Sequence, residues 1–388
     1  MKVIIVHVGD ILKYPPVVSL INALEIIGIK TVVITTSSDF NNKNKFENVV
    51  FEELGFKYES LNGPFSKLIN IFKTRKKISC LISEYYDQDS VIWVTYNVSL
   101  KHMNICKLYQ YNYVMQLMEL TEELKYHEKL PFKLNAKKIA RNALAVIVPE
   151  YNRAHITKAW WNLEDIPLIL PNKPYYKTVY NRYEHIDDLY ANEIISKLKN
   201  KKIILYQGIL TKERPLDVII RAVDSLGDDY AFVVMSGGKN IYKNIESTNY
   251  YFIPFIAPPS HLQVTSHAYI GVMAYVPIKS EFSKLNALYC APNKTYEYGM
   301  FGIPMIGNDL PGLKFLFEVQ KCGKCFKAFD EEYIINAIKC VENNYEEMSI
   351  NAKKLYDETN YNDILTSILK TIDHRKINKL RRTTIHEK

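Results

Sequence analysis

KIILYQGILTKERPLDVIIRA, residues 202–222, is the stretch on which the fold turns. Lys202–Tyr206 is a short apolar run that reads as a strand, Gln207-Gly208 closes it, and Pro215–Ser225 reads as a helix. A strand ending in glycine and leading through a loop into a helix is the building unit of parallel sheets with crossover helices. The chain opens the same way, with a strand at Lys2–Val8, then Gly9, then a helix at Pro15–Ile27 that begins with proline and closes at Gly28. Outward from these, Thr31–Thr35, Val91–Thr95, Tyr113–Leu117 and Ala145–Pro149 read as strands of the first half. Tyr230–Met235, Tyr250–Phe255, Tyr269–Ala274 and Pro304–Gly307 read as strands of the second, with helices at His261–Ser266 and Thr295–Phe301. Gly302-Ile-Pro304 stops the last of these helices. Pro167–Tyr190, polar, tyrosine-rich and broken by Pro171 and Pro174, reads as a linker. From Asp330 onward the pattern is helical, with a basic tail after Lys376 expected to fray. The sequence thus predicts α/β domains over 1–175 and 176–360, with 361–388 as a final helix and tail.

Composition narrows the class. At 388 residues the chain is too long for one ordinary core, and 47% apolar with 24% charged residues describes a globular protein. No run of 18 apolar residues occurs, which argues against a membrane-spanning helix. The apolar run after Lys2 is short for a signal peptide and reads as a buried strand. Cys322-Gly-Lys-Cys325 is the one CxxC among six cysteines, and no second ligand pair accompanies it. Reduced structural thiols are the expectation, hence a cytoplasmic protein with no metal site. The net charge of +8 is modest for this length and does not select nucleic acid as a partner. Abundant Asn, Lys, Ile and Tyr suit an AT-rich bacterium.

The first strand lacks the glycine fingerprint of a dehydrogenase, and the second ends in Thr35, Thr36, Ser37 and Ser38 with no acid to hold a ribose. Gly9 there allows either a tight turn or a close backbone approach to a ligand. The second half is richer. Gly208 and Arg214 place backbone N–H groups and a cation where a diphosphate fits, and Gly237 with Gly238 forms another close-approach loop at the same sheet edge. The densest run is APNKTYEYGMFGIP, residues 291–304. Lys294 and Glu297 share a helix face there, suited to a phosphate and a ribose respectively, or to a plain salt bridge between them. In the first half, Glu119 follows a strand and is a candidate to orient an acceptor or assist its proton. His7 reads as a packed core histidine, and Asp87-Gln-Asp89 as a solvated turn despite its metal-type spacing. Ser66–Lys77 has five basic residues, no acidic ones and interleaved apolar residues, a pattern compatible with peripheral contact with an anionic membrane or with a solvated helix.

The run Ala291–Gly307 resembles the nucleotide-sugar signature of glycosyltransferase family four and its GT-B relatives, in the P-N-K-x-x-E variant. YQGILTKERPLDVIIRA resembles that family's strand-Gly-loop-Arg-helix element, and Glu150–Arg153 and Leu170–Pro174 resemble its approach to the interdomain linker. The resemblance implies an α/β GT-B fold: two Rossmann-like domains with parallel sheets facing across a cleft, the acceptor on the first, the donor on the second, and the last helix returning to the first. It implies retaining transfer of a sugar from a nucleotide diphosphate, UDP by expectation, to a surface-glycan or lipid-linked acceptor in polysaccharide biosynthesis, with no cofactor and no obligatory metal. Arg214 and Lys294 would take the diphosphate and Glu297 the ribose, with Gly208, Gly237, Gly238, Pro292, Asn293, Tyr289 and Gly9 lining the donor site. Two departures stand out: Tyr289 occupies the place of the family's frequent first glutamate, and Ile209 that of its other cation. They keep open a second class, a catalytically inactive glycosyltransferase-like partner or glycan-binding protein.

Overall fold

The computed structural model describes residues 1–36, 46–55, 64–95, 97–122, 134–176, 178–211, 214–278 and 283–386; the side chains of 64–67, 97 and 380–386 lie outside that description. The chain divides into two units, one of Met1–Tyr175, Glu281–Ser283 and Asn360–Lys388, the other of Tyr176–Ser280 and Lys284–Thr359. The first carries β1 (Lys2–His7), β2 (Thr31–Thr35), β3 (Val49–Glu53), β4 (Ser90–Thr95), β5 (Tyr113–Gln116), β6 (Ala145–Val148) and β7 (Leu168–Ile169), in the order β3-β2-β1-β4-β5-β6-β7. The second carries β8 (Lys202–Gln207), β9 (Tyr230–Ser236), β10 (Tyr250–Pro254), β11 (Ile270–Met273), β12 (Met305–Asn308) and β13 (Gly323–Phe326), in the order β10-β9-β8-β11-β12-β13.

Every strand pairing among the described residues is parallel. Parallel sheets are covered on both faces, which is why their strands read as continuous apolar runs. Along β1, Ile4 and Val6 enter one core while Val3 and Ile5 enter the core on the other face. β8 does the same, with Ile204 and Tyr206 on one side and Ile203 and Leu205 on the other. In each sheet the winding reverses beside the first strand, between β1 and β4 and between β8 and β11. The carboxyl ends of strands at such a reversal are where doubly wound sheets hold ligands.

The structure departs from the sequence expectations in several places. β3 and β7 are additional strands. β3 is a half-exposed edge whose apolar run is only Val49–Phe51 before two acids, and β7 is two residues long. The segment read as linker to Tyr190 already enters a helix at Leu189, capped by the Asp188 carboxylate accepting from the Ala191 amide. The helix expected from Pro215 begins at Asp217, and the Leu216 amide donates instead to the Tyr242 hydroxyl. The final helix runs from Tyr361 to His386, past Lys376. Tyr361, Leu365, Ile368, Leu369 and Ile372 are packed into the first unit's core, and the Arg375 guanidinium donates to the Leu144 carbonyl at 2.9 Å.

Candidate functional site

The helix Lys294–Met300 is fixed to the second sheet by Tyr298, whose hydroxyl donates to the Leu205 carbonyl at 2.8 Å. Its ring fills the space over Gly271 that a Cβ would occupy. This anchor sets Lys294, the first helical residue, at the carboxyl ends of β8 and β11. The Lys294 ammonium stands 4.4 Å from the centre of the Tyr206 ring and 5.3 Å from that of Tyr275. The residue is 8% exposed, and its Nζ has no hydrogen-bond partner among the described residues. Burial and then the charge of Arg214 push its pKa well below the usual lysine value, against the opposing pull of Glu297.

Arg214 completes the cradle. Its guanidinium donates to the Ile209 carbonyl at 3.0 Å and lies 5.3 Å over the Tyr275 ring. Gly208 sits between the cations with φ +133°, a conformation that side-chain-bearing residues rarely adopt. A Cβ on Gly208 would be 3.6 Å from Lys294 Nζ and 3.8 Å from Arg214 Nη1, so the loop backbone runs directly beside both charges. Leaving an ammonium buried without a hydrogen-bonding counter-charge costs several kcal/mol, of which the two aromatic faces return about 1–2. Phosphate oxygens supply the acceptors that this arrangement lacks. The helix has only seven residues, so its dipole is the lesser attraction beside two full charges.

Glu297 lies one turn along the same helix and is 6% exposed. One carboxylate oxygen accepts from the Gln207 side-chain amide, whose own oxygen accepts from the Thr265 hydroxyl at 2.6 Å. The other is 3.3 Å from His261 Nε2. Burial opposes its ionisation, but His261, Gln207 and Lys294 outweigh this and hold the carboxyl below the usual range. Each carboxylate oxygen keeps a further lone pair. His261 Nδ1 and the Tyr176 hydroxyl, whose ring meets His261 edge-on at 6.4 Å, are also buried without a partner among the described residues.

The remaining expected residues are placed as follows. Gly237 and Gly238 follow β9 at the same sheet edge, one strand from Gly208, whose amide donates to the Met235 carbonyl; Gly238 has φ +87°. Pro292 and Asn293 lead into the Lys294 helix, and their carbonyls accept its first amides. Tyr289 ends the short helix Leu285–Leu288. Gly9 and Glu119 belong to the first unit. The Gly9 carbonyl accepts from the Thr35 and Thr36 hydroxyls, and a Cβ there would stand 3.0 Å from His7 Nε2. Glu119 follows β5, half-buried. His7 is fully buried, shares a 2.8 Å hydrogen bond with Thr95, and is pushed down to about 3 by desolvation. Asp87 pairs with Lys2 at 2.6 Å and accepts from Ser90, which together lower it to about 2. Cys322 and Cys325 are buried, unpaired thiols raised to about 12 by desolvation. Among the described residues no cluster of three metal-ligating side chains occurs, and no helix is long and apolar enough to cross a membrane.

Nothing local in the sequence marks Tyr206, Tyr275, His261 or Thr265 as site residues. Glu297 lies 36 positions after His261 and 90 after Gln207, separations at which no local pattern signals contact.

No protein-family model matches the sequence, and no curated protein matches it. Solved structures do match over nearly the whole chain. A trehalose-6-phosphate structure from E. coli bound with UDP-2-fluoro glucose has a TM-score of 0.67 at 8% identity, over 96% of this chain and 99% of the other. HepE from Anabaena, in complex with UDP and glucose, has a TM-score of 0.66 at 12% identity, over 96% and 100%. A glycosyltransferase from Rickettsia africae has a TM-score of 0.65 at 12% identity, over 96% and 98%. At these identities the likeness establishes the fold: two Rossmann-like parallel-sheet units of the GT-B type.

Proposed function

We propose that this chain is a glycosyltransferase that binds a nucleotide-diphosphate sugar, with UDP as the nucleotide, on its second unit. The observation that carries the reading is Lys294, a buried ammonium with no hydrogen-bond partner among the described residues, beside Arg214 and the backbone of Gly208. Several matched structures contain UDP or a UDP-sugar, which supports the choice of nucleotide. Lys294 and Arg214 take the diphosphate, Glu297 accepts from the ribose hydroxyls through its remaining lone pairs, and the loops at Gly208 and Gly237-Gly238 admit the donor close to backbone. As the bond from the anomeric carbon to the diphosphate oxygen breaks, negative charge grows on that oxygen, and two fixed cations stabilise it without reorganisation. Transfer proceeds with retention to a surface-glycan or lipid-linked acceptor held by the first unit, where Glu119 orients the acceptor. The two cations carry the charge stabilisation usually given to a divalent ion, so turnover persists in chelator.

The test is thermal stabilisation by a panel of nucleotides and nucleotide sugars, because a ligand bound only by the native state raises its stability. A shift with UDP or a UDP-sugar, absent in Lys294→Ala, supports the reading and selects the sugar. No shift with any nucleotide replaces it with the inactive, glycan-binding alternative.

A further inference from the structure

We infer that one face of the first unit, built on the helix Pro64–Tyr85, docks on an anionic lipid surface; the inference stands independently of the nucleotide site. The helix is two-sided. Ile71, Thr74, Ile78 and Ile82 are buried, while Ile69, Phe72, Lys73 and Lys76 form an outward stripe at the i, i+3, i+4, i+7 spacing of a single helix face. Ile69 is 54% exposed and Phe72 53%, and Lys73, Lys76 and Lys77 are exposed beside them. Large apolar side chains and cations thus share one solvent-facing strip.

The surface extends beyond that helix. A groove of about 590 Å³ lies between it and the turn Met103–Lys107, and Arg75, Lys76, Ile105 and Lys107 are among its walls. The Arg75 Nε donates to the Lys101 carbonyl at 3.0 Å, which ties the helix to this turn. Leu134 also lines the groove, and in the helix that follows it, Ala136–Asn142, the Lys138 ammonium lies 5.8 Å over the Tyr109 ring. Across residues 64–77, 97–107 and 134–142 the sequence has ten Lys and Arg and no Asp or Glu. The whole chain nets +8, so everything outside these three segments is slightly acidic. These three segments therefore carry a net +10 against −2 for the rest of the chain, and Arg75, Lys76 and Lys107 of them line the groove.

That combination selects lipid over a soluble polyanion. Cations alone attract either, but Ile69 and Phe72 gain only where an apolar phase lies next to the anionic groups. At a bilayer the two side chains enter the boundary between headgroups and acyl chains while the lysine stems lie along it with their ammonium groups at the phosphates.

The test is co-sedimentation of the full chain with vesicles of phosphatidylcholine, with and without phosphatidylglycerol. Expected is binding to the mixed vesicles only, weakening as salt is raised. The double variant Lys73→Glu, Lys76→Glu lowers partitioning more than about tenfold. Ile69→Ser with Phe72→Ser abolishes the binding that remains at high salt. Absence of wild-type binding, or equal binding by the charge-reversed variant, overturns the inference. Equal binding to soluble dextran sulfate that is indifferent to the serine variants also overturns it, by assigning the face to a soluble polyanion. All these variants keep the wild-type thermal response to UDP, which shows that they fold. A missing nucleotide response in a wild type that still binds vesicles fails the donor reading and leaves this one intact.

Discussion

The carboxyl ends of β1 and β8 occupy the same place in their respective sheets, each beside the point where the winding reverses, yet they are finished differently. At the end of β1, His7 is hydrogen-bonded to Thr95, the Val8 amide is bonded by the Ser99 hydroxyl, and the Gly9 carbonyl takes the Thr35 and Thr36 hydroxyls. These bonds tie the end of β1 to β2, β4 and the helix Asn97–Lys101, and burial keeps the histidine neutral. At the end of β8, two cations flank a glycine, and one of them is buried without a hydrogen-bond partner among the described residues. Equivalent topology thus yields a neutral, hydrogen-bonded end in one unit and an anion-seeking end in the other. The sheet determines where a site can form, and the side chains determine whether one does.

Four substitutions and one titration test this contrast. The largest effect belongs to Lys294→Ala, which removes a charge-assisted contact to the diphosphate and costs about 3 kcal/mol of UDP affinity, more than a hundredfold. Without ligand the same variant is no less stable than wild type, because the buried charge had no counter-charge bonded to it. Calorimetric titration with UDP and unfolding of the free protein check both halves, and undiminished UDP binding would erase the contrast. Next is Glu297→Ala, which strands the Gln207 amide and His261; about 3 kcal/mol of stability disappears in denaturant unfolding, along with the nucleotide response.

At β1 the effect depends on pH. Burial pushes His7 down to about 3 from the ordinary histidine value of 6.5, so the unfolded chain binds the extra proton below pH 6.5. This residue's contribution to stability therefore falls as pH drops from 6.5 toward 3, by about 2 kcal/mol at pH 5. His7→Gln flattens that part of the stability profile, and an unchanged profile would mean that His7 is not held neutral. Gly208→Ala forces a side chain into a φ of +133° beside both cations. It costs about 1–2 kcal/mol of stability and weakens UDP binding, whereas a neutral result would show that the loop relaxes freely. The smallest effect is the titration. A bound diphosphate raises the depressed pKa of Lys294, so binding takes up protons and UDP affinity declines as pH rises between the free and bound values, by at most about tenfold per pH unit. Identical heats in buffers of different ionisation enthalpy would show that no proton is taken up.

What could be read in advance follows from how each feature is encoded. Strands covered on both faces, such as Lys2–His7 and Lys202–Gln207, are continuous apolar runs and stand out locally. The edge strand Val49–Glu53 is half-exposed and ends in two acids, so its residues carry no such mark. The helix Leu189–Lys197 follows a tyrosine- and proline-broken stretch that obscures its Asp188 cap. In the site, Gly208, Arg214, Lys294 and Glu297 announce themselves because a glycine loop and an i, i+3 pair are local patterns. Tyr206, Tyr275 and His261 do not. An aromatic at the end of a buried strand is ordinary core composition until the fold brings a lysine over its face.

The helix Tyr361–His386 follows the second unit in the chain but supplies Tyr361, Leu365, Ile368, Leu369 and Ile372 to the core of the first. In chain order the second unit is an insertion within the first. On a ribosome the first unit is begun before the second and completed after it, since one wall of its core arrives only after residue 360. Nascent chains that have passed the second unit but lack this helix expose apolar surface on β1 and its neighbours, which makes them candidates for chaperone capture. The second unit, its strands and helices already synthesised by residue 359, has no such wait.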